Sequence, residues 1–192
     1  LDALTSGDAN VAVGYQAGGA VTTGIYNTLV GYQSGLATTD GNQNTFLGRV
    51  AGGANTSGGV NIAIGDSAYD GADTESNNLA IGVHALGGAV AGGEYNVAVG
   101  NTSLDALTSG DNNVAIGYGA GTAVTTGHRN TLMGQGAGEA LTTATHTIAI
   151  GNAAASGYDT ETNNLAIGHV ALGGSVAGGE NNVAIGNYTL DA

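Results

Sequence analysis

The side chains that could carry chemistry in this chain are mostly carboxylates. Its 192 residues include fifteen acids, two arginines and four histidines, with no lysine and no cysteine. The histidines lie at unrelated positions of the sequence, and no pair has the spacing of a metal-binding motif; they are His84, His128, His146 and His169. We therefore expect solvated surface histidines and no histidine metal centre.

Two acidic triplets, Asp73-Thr74-Glu75 and Asp159-Thr160-Glu161, recur 86 residues apart. Their oxygens are ligands of the kind that calcium prefers. Aspartate does not recur at one position of every repeat, however, as it does in calcium-binding nonapeptide solenoids. The sequence therefore favours a solvated acidic edge and no cofactor, with bound calcium as the lesser alternative.

Glycine-rich words such as Gly117-Tyr118-Gly119-Ala120-Gly121 superficially suggest a dinucleotide-binding loop. No helix-forming segment and no lysine follow them, so they fit the corners of a repeat structure better. A regular repeat also offers flat faces, whereas catalysis needs unlike groups that converge in a pocket. We therefore predict that the protein is not an enzyme.

The overall charge limits the possible partners. The formal net charge is −13, although charged residues make up only 9% of the chain. Such a surface repels phosphate backbones and anionic lipid, which predicts no nucleic-acid binding. No apolar run approaches the length of a membrane span, so we expect no membrane contact within this segment. The missing cysteines fit a bacterial or viral surface protein without redox chemistry.

A short word of the type Asn-Val-Ala-Ile-Gly recurs along the whole chain and determines where all these side chains stand. Its glycine, called here the marker glycine, returns after steps of 17, 17, 17, 17 and 18 residues, and this series occurs twice. We expect the marker glycines to form the turn of each coil. They are Gly14, Gly31, Gly48, Gly65, Gly82, Gly100, Gly117, Gly134, Gly151, Gly168 and Gly186.

A longer period shows that whole coils are gained or lost as units. Residues 76–100 match residues 162–186 at a shift of 86, with 19 of 25 positions identical. Residues 1–15 match residues 104–118 at a shift of 103, which is one 17-residue coil more. We therefore expect residues 1–192 to form a single repeat array that is a window of a longer fibre protein.

The residues before each marker glycine alternate in size. One and three residues before it stand large apolar residues or threonine, as in Ile62 and Ile64, and two before it stands a residue such as Ala63. This alternation predicts a short strand with both faces covered, one by larger and one by smaller groups. We expect Ile64 and Ile116 to lie in a stacked apolar column of the core. The predicted fold is all-β, a parallel β-solenoid of about eleven coils of 17 to 18 residues around a narrow core.

Asparagine stands four residues before the marker glycine in ten of eleven coils. Stacked amides can hydrogen-bond along the axis as a ladder. Alternatively, asparagine serves there as a turn residue that tolerates unusual backbone angles, and the sequence leaves both interpretations open. The residues are Asn10, Asn27, Asn44, Asn61, Asn78, Asn96, Asn113, Asn130, Asn164 and Asn182.

The residues after the marker glycine separate small from variable positions. The third and sixth are small in almost every coil, which predicts a second strand or a contact face. The first is variable and must face solvent or a partner. It includes Tyr15, Tyr32 and Tyr118, our candidates for surface binding.

Words such as Asn61-Ile62-Ala63-Ile64-Gly65 resemble the head repeats of YadA-like trimeric autotransporter adhesins, although the coil here is longer. Words such as Val13-Gly14-Tyr15-Gln16-Ala17-Gly18 resemble repeats of phage tail-fibre-like proteins even more. The resemblance covers the whole chain, but to a repeat type and not to one protein. It implies a left-handed β-roll in a homotrimeric rod, extracellular display on a cell or virion, and adhesion or receptor contact.

We therefore expect a non-enzymatic extracellular fibre segment that assembles as a homotrimer or longer filament and presents a repetitive surface to a cell-surface or matrix receptor, including a glycan. The alternative is a phage tail-fibre shaft or receptor-binding region that recognises or cleaves cell-surface polysaccharide. A minor alternative is an ice-binding solenoid, because threonine pairs such as Thr22-Thr23 and Thr125-Thr126 recur.

Overall fold

A computed structural model of the chain describes residues 1–157, 159–174 and 179–191, which contain strands and turns but no helix. Each strand has three residues and ends immediately before a marker glycine, as the alternating pattern predicts. The strands are β1 (Val11–Val13), β2 (Thr28–Val30), β3 (Thr45–Leu47), β4 (Ile62–Ile64), β5 (Leu79–Ile81), β6 (Val97–Val99), β7 (Val114–Ile116), β8 (Thr131–Met133), β9 (Ile148–Ile150), β10 (Leu165–Ile167) and β11 (Val183–Ile185).

The strands form one parallel sheet in the order of the sequence, from β1 to β11. Val11 pairs with Thr28 in a 17-residue coil, and Leu165 pairs with Val183 in an 18-residue coil. The register therefore keeps equivalent positions in line whether a coil has 17 or 18 residues. This confirms the predicted all-β fold, a parallel β-solenoid.

The coils turn through residues in the left-handed backbone region. All twenty-six described non-glycine residues with positive φ lie at only three positions: five before, two after and four after the marker glycine. Examples are Tyr26 (φ 59°), Gln33 (φ 54°) and Leu86 (φ 49°). Such angles cost about 1–2 kcal/mol for a residue with a Cβ. Because they recur at the same three positions from coil to coil, the bends are a property of the whole stack and not of isolated turns.

The prediction of a second strand was wrong. After each marker glycine the described residues form turns and not a strand. The third residue is small because its side chain faces the interior, where Ala51 and Ala120 are fully buried. The small sixth residues, such as Ala37 and Ala123, are only partly buried in the corner of the coil.

The interior is filled from two opposite walls. One wall carries the strand-centre residue, two before the marker glycine; the other carries the fourth-position residue, four after it. The described strand-centre residues other than Ala are Leu29, Phe46 and Leu132, and glycines lie against them at the fourth position, namely Gly18, Gly35, Gly52, Gly121 and Gly138. In six coils the strand centre is Ala and the fourth position carries Tyr69, Leu86, Leu104, Ala155, Leu172 or Leu190. The coils of Ala12 and Ala115 have glycine at the fourth position, where Leu29 or Leu132 of the next coil fills the space.

The strand face that carries the residues one and three before the marker glycine, called here the outer stripe, points away from this interior. Val13 is 58% exposed and Ile62 is 41% exposed. The predicted covering of both strand faces is therefore met on only one face within a single chain. Only the strand-centre residue enters the core, and Ile64 and Ile116 lie outside it, because three residues span just one wall of the narrow coil.

Candidate functional site

The asparagine positions form an inner column whose amides bond to main chain as well as to each other. The Oδ1 of Asn44 accepts a hydrogen bond from the backbone N–H of Asn61 in the next coil, at 2.9 Å. The Nδ2 of Asn44 donates to the carbonyl oxygen of Gly58, at 2.8 Å. Amide-to-amide bonds, such as that from Asn113 Nδ2 to Asn96 Oδ1 at 3.1 Å, occur in part of the column. Each asparagine thus links its coil to the neighbouring ones.

The left-handed angle belongs to the residue before each asparagine and not to the asparagine itself. Tyr26, immediately before Asn27, has φ 59°, whereas Asn27 is absent from the residues with positive φ. The column is interrupted at Thr147, whose buried Oγ1 has no hydrogen-bond partner. The geometry therefore favours the ladder interpretation over the turn interpretation.

The marker glycines are required by the backbone and by the space around it. Gly48 has φ +146°, and a Cβ built on it would lie 2.2 Å from the carbonyl oxygen of Gly65. The same close approach recurs between Gly65 and Gly82, at 2.4 Å. A side chain at these positions would force the coils apart, so the marker glycines serve the stacking of the solenoid.

The first residues after the marker glycines form an exposed ladder along the rod, called here the variable ladder. The rings of Tyr15 and Tyr32 stack with centroids 5.4 Å apart and an interplanar angle of 16°. Beside them the Gln33 Nε2 donates to the Gln16 Oε1 at 2.8 Å. Two of the three candidate tyrosines therefore lie together, and each covers one face of the other.

The variable ladder continues with an ion pair. The Arg49 Nη2 donates to Asp66 Oδ2 at 2.7 Å, and this hydrogen bond lowers the pKa of the Asp66 carboxyl group. Both side chains are solvent-exposed, so the pair adds little stability. Like the stacked tyrosines, it shows neighbouring coils matching their exposed side chains along the axis.

Tyr118, the third candidate, lies apart from the other two at the rim of a surface depression of about 220 Å³. Gly119 and Gly136 form its floor, and Gln135, Glu139 and Asn152 bring polar groups to it. Among the described residues no other ring packs against Tyr118. The three tyrosines are thus two different sites: a self-stacked pair and a free ring beside a depression.

The acidic triplet at residues 73–75 divides into an exposed and a buried part. Glu75 is only 4% exposed, and its carboxylate accepts backbone N–H bonds from Asp73 at 2.9 Å, Thr74 at 3.0 Å and Gly92 at 2.9 Å. Asp73 is exposed. Glu75 is therefore not part of the solvated acidic edge that we expected.

The buried Glu75 helps the stack to accommodate the 18-residue coil that follows it. The N–H of Leu86, four after its marker glycine, still donates to the third residue of the next coil, Ser103. The N–H that donates to the eighth residue of the next coil, Thr108, belongs to Ala91, which stands nine after its marker glycine and not eight. The surplus residue is therefore absorbed between Leu86 and Ala91. The N–H of Gly92, just beyond, is the one that reaches Glu75. The sequence carried a signal that we missed, because Glu75 and Glu161 replace a small residue that stands ten after the marker glycine elsewhere.

The metal-ligating residues are dispersed in the described residues, where no group of three or more His, Cys, Asp or Glu is arranged to hold a metal ion. The rings of His128 and His146 meet edge to face at 6.0 Å, and His169 meets Tyr188 at 5.0 Å. Glu161 accepts backbone bonds from Asp159 at 3.2 Å and Thr160 at 3.1 Å, as Glu75 does in the first triplet.

The threonine pairs have partly committed hydroxyl groups. The Oγ1 of Thr22 donates to the carbonyl oxygen of Thr39 at 3.2 Å, and the Oγ1 of Thr125 donates to Thr142 at 3.2 Å. The threonine eight after the marker glycine, which is the first of most pairs but the second in Thr38-Thr39, therefore extends the axial hydrogen bonds. This weakens the ice-binding alternative, which needs a flat array of hydroxyls free to meet water.

No protein-family model, curated protein or solved structure matches the chain. In the part of the chain that the structure describes, no helix is long and apolar enough to cross a membrane.

Proposed function

We propose that the chain is a non-enzymatic fibre segment that assembles through its outer stripe, as a homotrimer or a longer filament, and acts outside the cell in attachment. The observation that carries this proposal is the outer stripe, which is apolar in every coil at the residue before the marker glycine and which the chain itself covers only in part. Its most exposed members are Val11, Val13, Leu47, Ile62, Ile116, Met133, Ile148, Ile150, Val183 and Ile185.

The length and composition of the outer stripe favour a partner. At about 4.8 Å per strand, ten steps extend it over about 48 Å. Monomeric soluble proteins seldom leave apolar patches larger than a few hundred Å² open to water. Identical chains offer identical stripes in the same register, which suits a symmetric assembly.

The number three follows from the resemblance to the head repeats of trimeric adhesins, which also supports left-handed coils and display on a cell or virion surface. The formal charge of a trimer would be 3 × −13, or −39. Such a charge would hold separate rods apart at low salt while each outer stripe is buried within its own trimer.

Light scattering on the purified chain tests the assembly. The expected molar mass is three times 18.4 kDa or more. A combined variant with Ile64→Asp, Ile116→Asp and Ile150→Asp should fall to the monomer mass, because three charges then enter the buried stripe.

The matched control adds the same three charges to the variable ladder, by Asn101→Asp, Gln135→Glu and Asn152→Asp, and should keep the mass of the parent assembly. A folded, stable monomer of the unmodified chain at micromolar concentration would overturn the proposed assembly.

A second candidate function is recognition of cell-surface polysaccharide, as in a phage tail-fibre shaft or receptor-binding region. The exposed tyrosines favour it, since aromatic rings stack on the apolar faces of sugars while their hydroxyl groups remain in water. Screening the intact chain on a glycan array tests recognition, and incubation with the bound polysaccharide tests cleavage. Binding without a change in polysaccharide length would support recognition alone.

A further inference from the structure

The floor of the depression beside Tyr118 is made by glycines that the fold does not need. Gly119 and Gly136 stand two after the marker glycine, with φ +64° and +63°. Other coils hold the same left-handed angle at this position with a side chain, as at Gln33 (φ 54°) and Val50 (φ 58°). Backbone conformation therefore does not demand glycine here.

Packing does not demand glycine at Gly119 either. A Cβ built there meets no atom within 4 Å, in contrast to the marker glycines. At Gly136 the atom nearest to such a Cβ is the Glu139 Oε2, at 2.8 Å, which is the end of a flexible side chain. What the two glycines achieve is open space on the outside of the rod.

The next coil extends this open space, since it carries Ala153 at the same position. Three consecutive coils thus have side chains of at most one carbon there, whereas Gln16 and Gln33 occupy the equivalent space beside Tyr15 and Tyr32. The result is a depression of about 220 Å³, smaller than the pockets that take drug-sized molecules. Its size suits a single ring.

The rim of the depression combines one aromatic face with hydrogen-bonding groups. Tyr118 is 63% exposed, and the next residue of the variable ladder is Gln135, so no second ring covers it. The Asn152 Nδ2 donates only long hydrogen bonds, to the Gln135 backbone carbonyl oxygen at 3.3 Å and to the Gln135 Oε1 at 3.4 Å. Within the described residues, the Glu139 carboxylate has no ion-pair partner.

We propose that this depression is a subsite for one neutral hexopyranose unit of a polysaccharide, with Tyr118 as its stacking platform. A pyranose ring has an apolar face of C–H groups that suits an aromatic ring. Its hydroxyl groups suit the amides of Gln135 and Asn152 and the Glu139 carboxylate. Acidic sugars are disfavoured, because that carboxylate and the net charge of −13 repel them.

This inference deepens the proposed role in attachment but does not depend on the number of chains in the rod. Its test is saturation-transfer NMR on the full chain, with the methyl glycosides of glucose, galactose and mannose as neutral probes and methyl glucuronide as the acidic one. We expect transfer to at least one neutral glycoside and little or none to the glucuronide.

Two variants address the subsite. Tyr118→Ala removes the platform, and Gly119→Asn fills the depression with a residue that tolerates positive φ. Each should weaken the saccharide by about tenfold or more. The matched control is Tyr15→Ala, which removes an equally exposed tyrosine of the same ladder where Gln16 and Gln33 occupy the equivalent space, and should leave binding unchanged.

The inference is overturned if no neutral glycoside shows transfer, if the glucuronide binds equally well, or if Tyr15→Ala weakens binding as much as Tyr118→Ala. Light scattering on each sample separates this failure from that of the proposed assembly. A monomeric chain that still binds the glycoside would disprove the proposed assembly and support the subsite. An intact assembly that does not bind it would support the assembly and disprove the subsite.

Discussion

Two stretches of the solenoid fill the same narrow interior from opposite walls. From β2 to Gly52, the strand centres are large, as at the fully buried Phe46, and the fourth position is glycine. From β5 to Leu104, the strand centres are Ala and the fourth position carries leucine. In both stretches one large side chain fills the cross-section of the interior, but it comes from the strand centre in the first stretch and from the fourth position in the second.

The two arrangements differ in their backbone cost. A leucine at the fourth position has left-handed angles, as Leu104 does at φ 49°, and such angles cost about 1–2 kcal/mol. Burying a leucine side chain contributes about 1.5–3 kcal/mol, which offsets that cost. The comparison teaches that a residue at an unfavourable angle is tolerated where its side chain completes the core.

The largest expected effect comes from breaking the stack itself. Deleting residues 31–47 removes one complete coil and brings Leu29 next to Gly52 in the joined coil, so a large strand centre still faces glycine. We expect a folded rod that is shorter by about 4.8 Å. Deleting only residues 31–38 places unlike positions in line and should abolish cooperative unfolding, measured by circular dichroism. Equal melting curves for the two deletions would disprove the 17-residue unit.

A double-mutant cycle tests the exchange between walls. A Cβ at Gly52 would lie 2.4 Å from ring carbons of Phe46, so Gly52→Leu should cost about 3 kcal/mol or more in the free energy of unfolding. Phe46→Ala leaves a cavity and should cost about 3–5 kcal/mol. The double variant copies the second stretch, and we expect it to be more stable than either single variant.

The control for this cycle is Gly119→Leu, at a similar φ but facing open space. It should cost only the backbone term of about 1–2 kcal/mol. Additive losses in the cycle, measured by denaturant unfolding, would mean that the two walls are independent.

A smaller effect is expected where the second stretch absorbs its surplus residue. Glu75→Gln removes the charge from an acceptor of three backbone N–H groups and should cost about 1–2 kcal/mol. The control is Glu139→Gln, an exposed carboxylate, with an expected cost below about 0.5 kcal/mol. If thermal unfolding gave the two variants the same stability, the Glu75 carboxylate would have no role in holding the 18-residue coil.

The smallest effect is expected on the outside of the rod, where neither stretch is constrained. Asn152→Asp changes an exposed residue of the variable ladder and should alter stability by less than about 0.5 kcal/mol. Asn113→Asp places the same change in the buried asparagine column and should cost about 3 kcal/mol or more. A comparable fall in melting temperature for both would contradict this assignment of inside and outside.

The fold could be predicted from the sequence because each coil repeats the surroundings of the one before. The period placed all eleven strands and their parallel register. The inward face of each strand was harder to predict, because the alternation of residue sizes indicates that the two faces differ but not which one lies in the core. Ile64 and Ile116 were wrongly expected in the core for this reason: large apolar residues usually mark the interior of a chain, but here they lie on the face that the proposed assembly would cover.

The candidate site was less predictable than the fold. Tyr118 could be chosen from the sequence as an exposed aromatic residue, but its difference from Tyr15 and Tyr32 depends on the neighbouring coils. The sequence alone indicated that Gly119 is a corner residue of the solenoid, because it does not show the open space beside this glycine. Comparing positions across coils, rather than along one coil, would have separated the two cases.

The axial hydrogen bonds have a mechanical consequence. Tension applied to the two ends of one chain pulls each coil from its neighbour in line with those bonds, so they yield one coil at a time and not together. Each detached coil of 17 residues would release about 56–61 Å of extended chain. A pulling experiment on a single chain should therefore record small, evenly spaced length steps, with the 18-residue coils each giving a step about one residue longer.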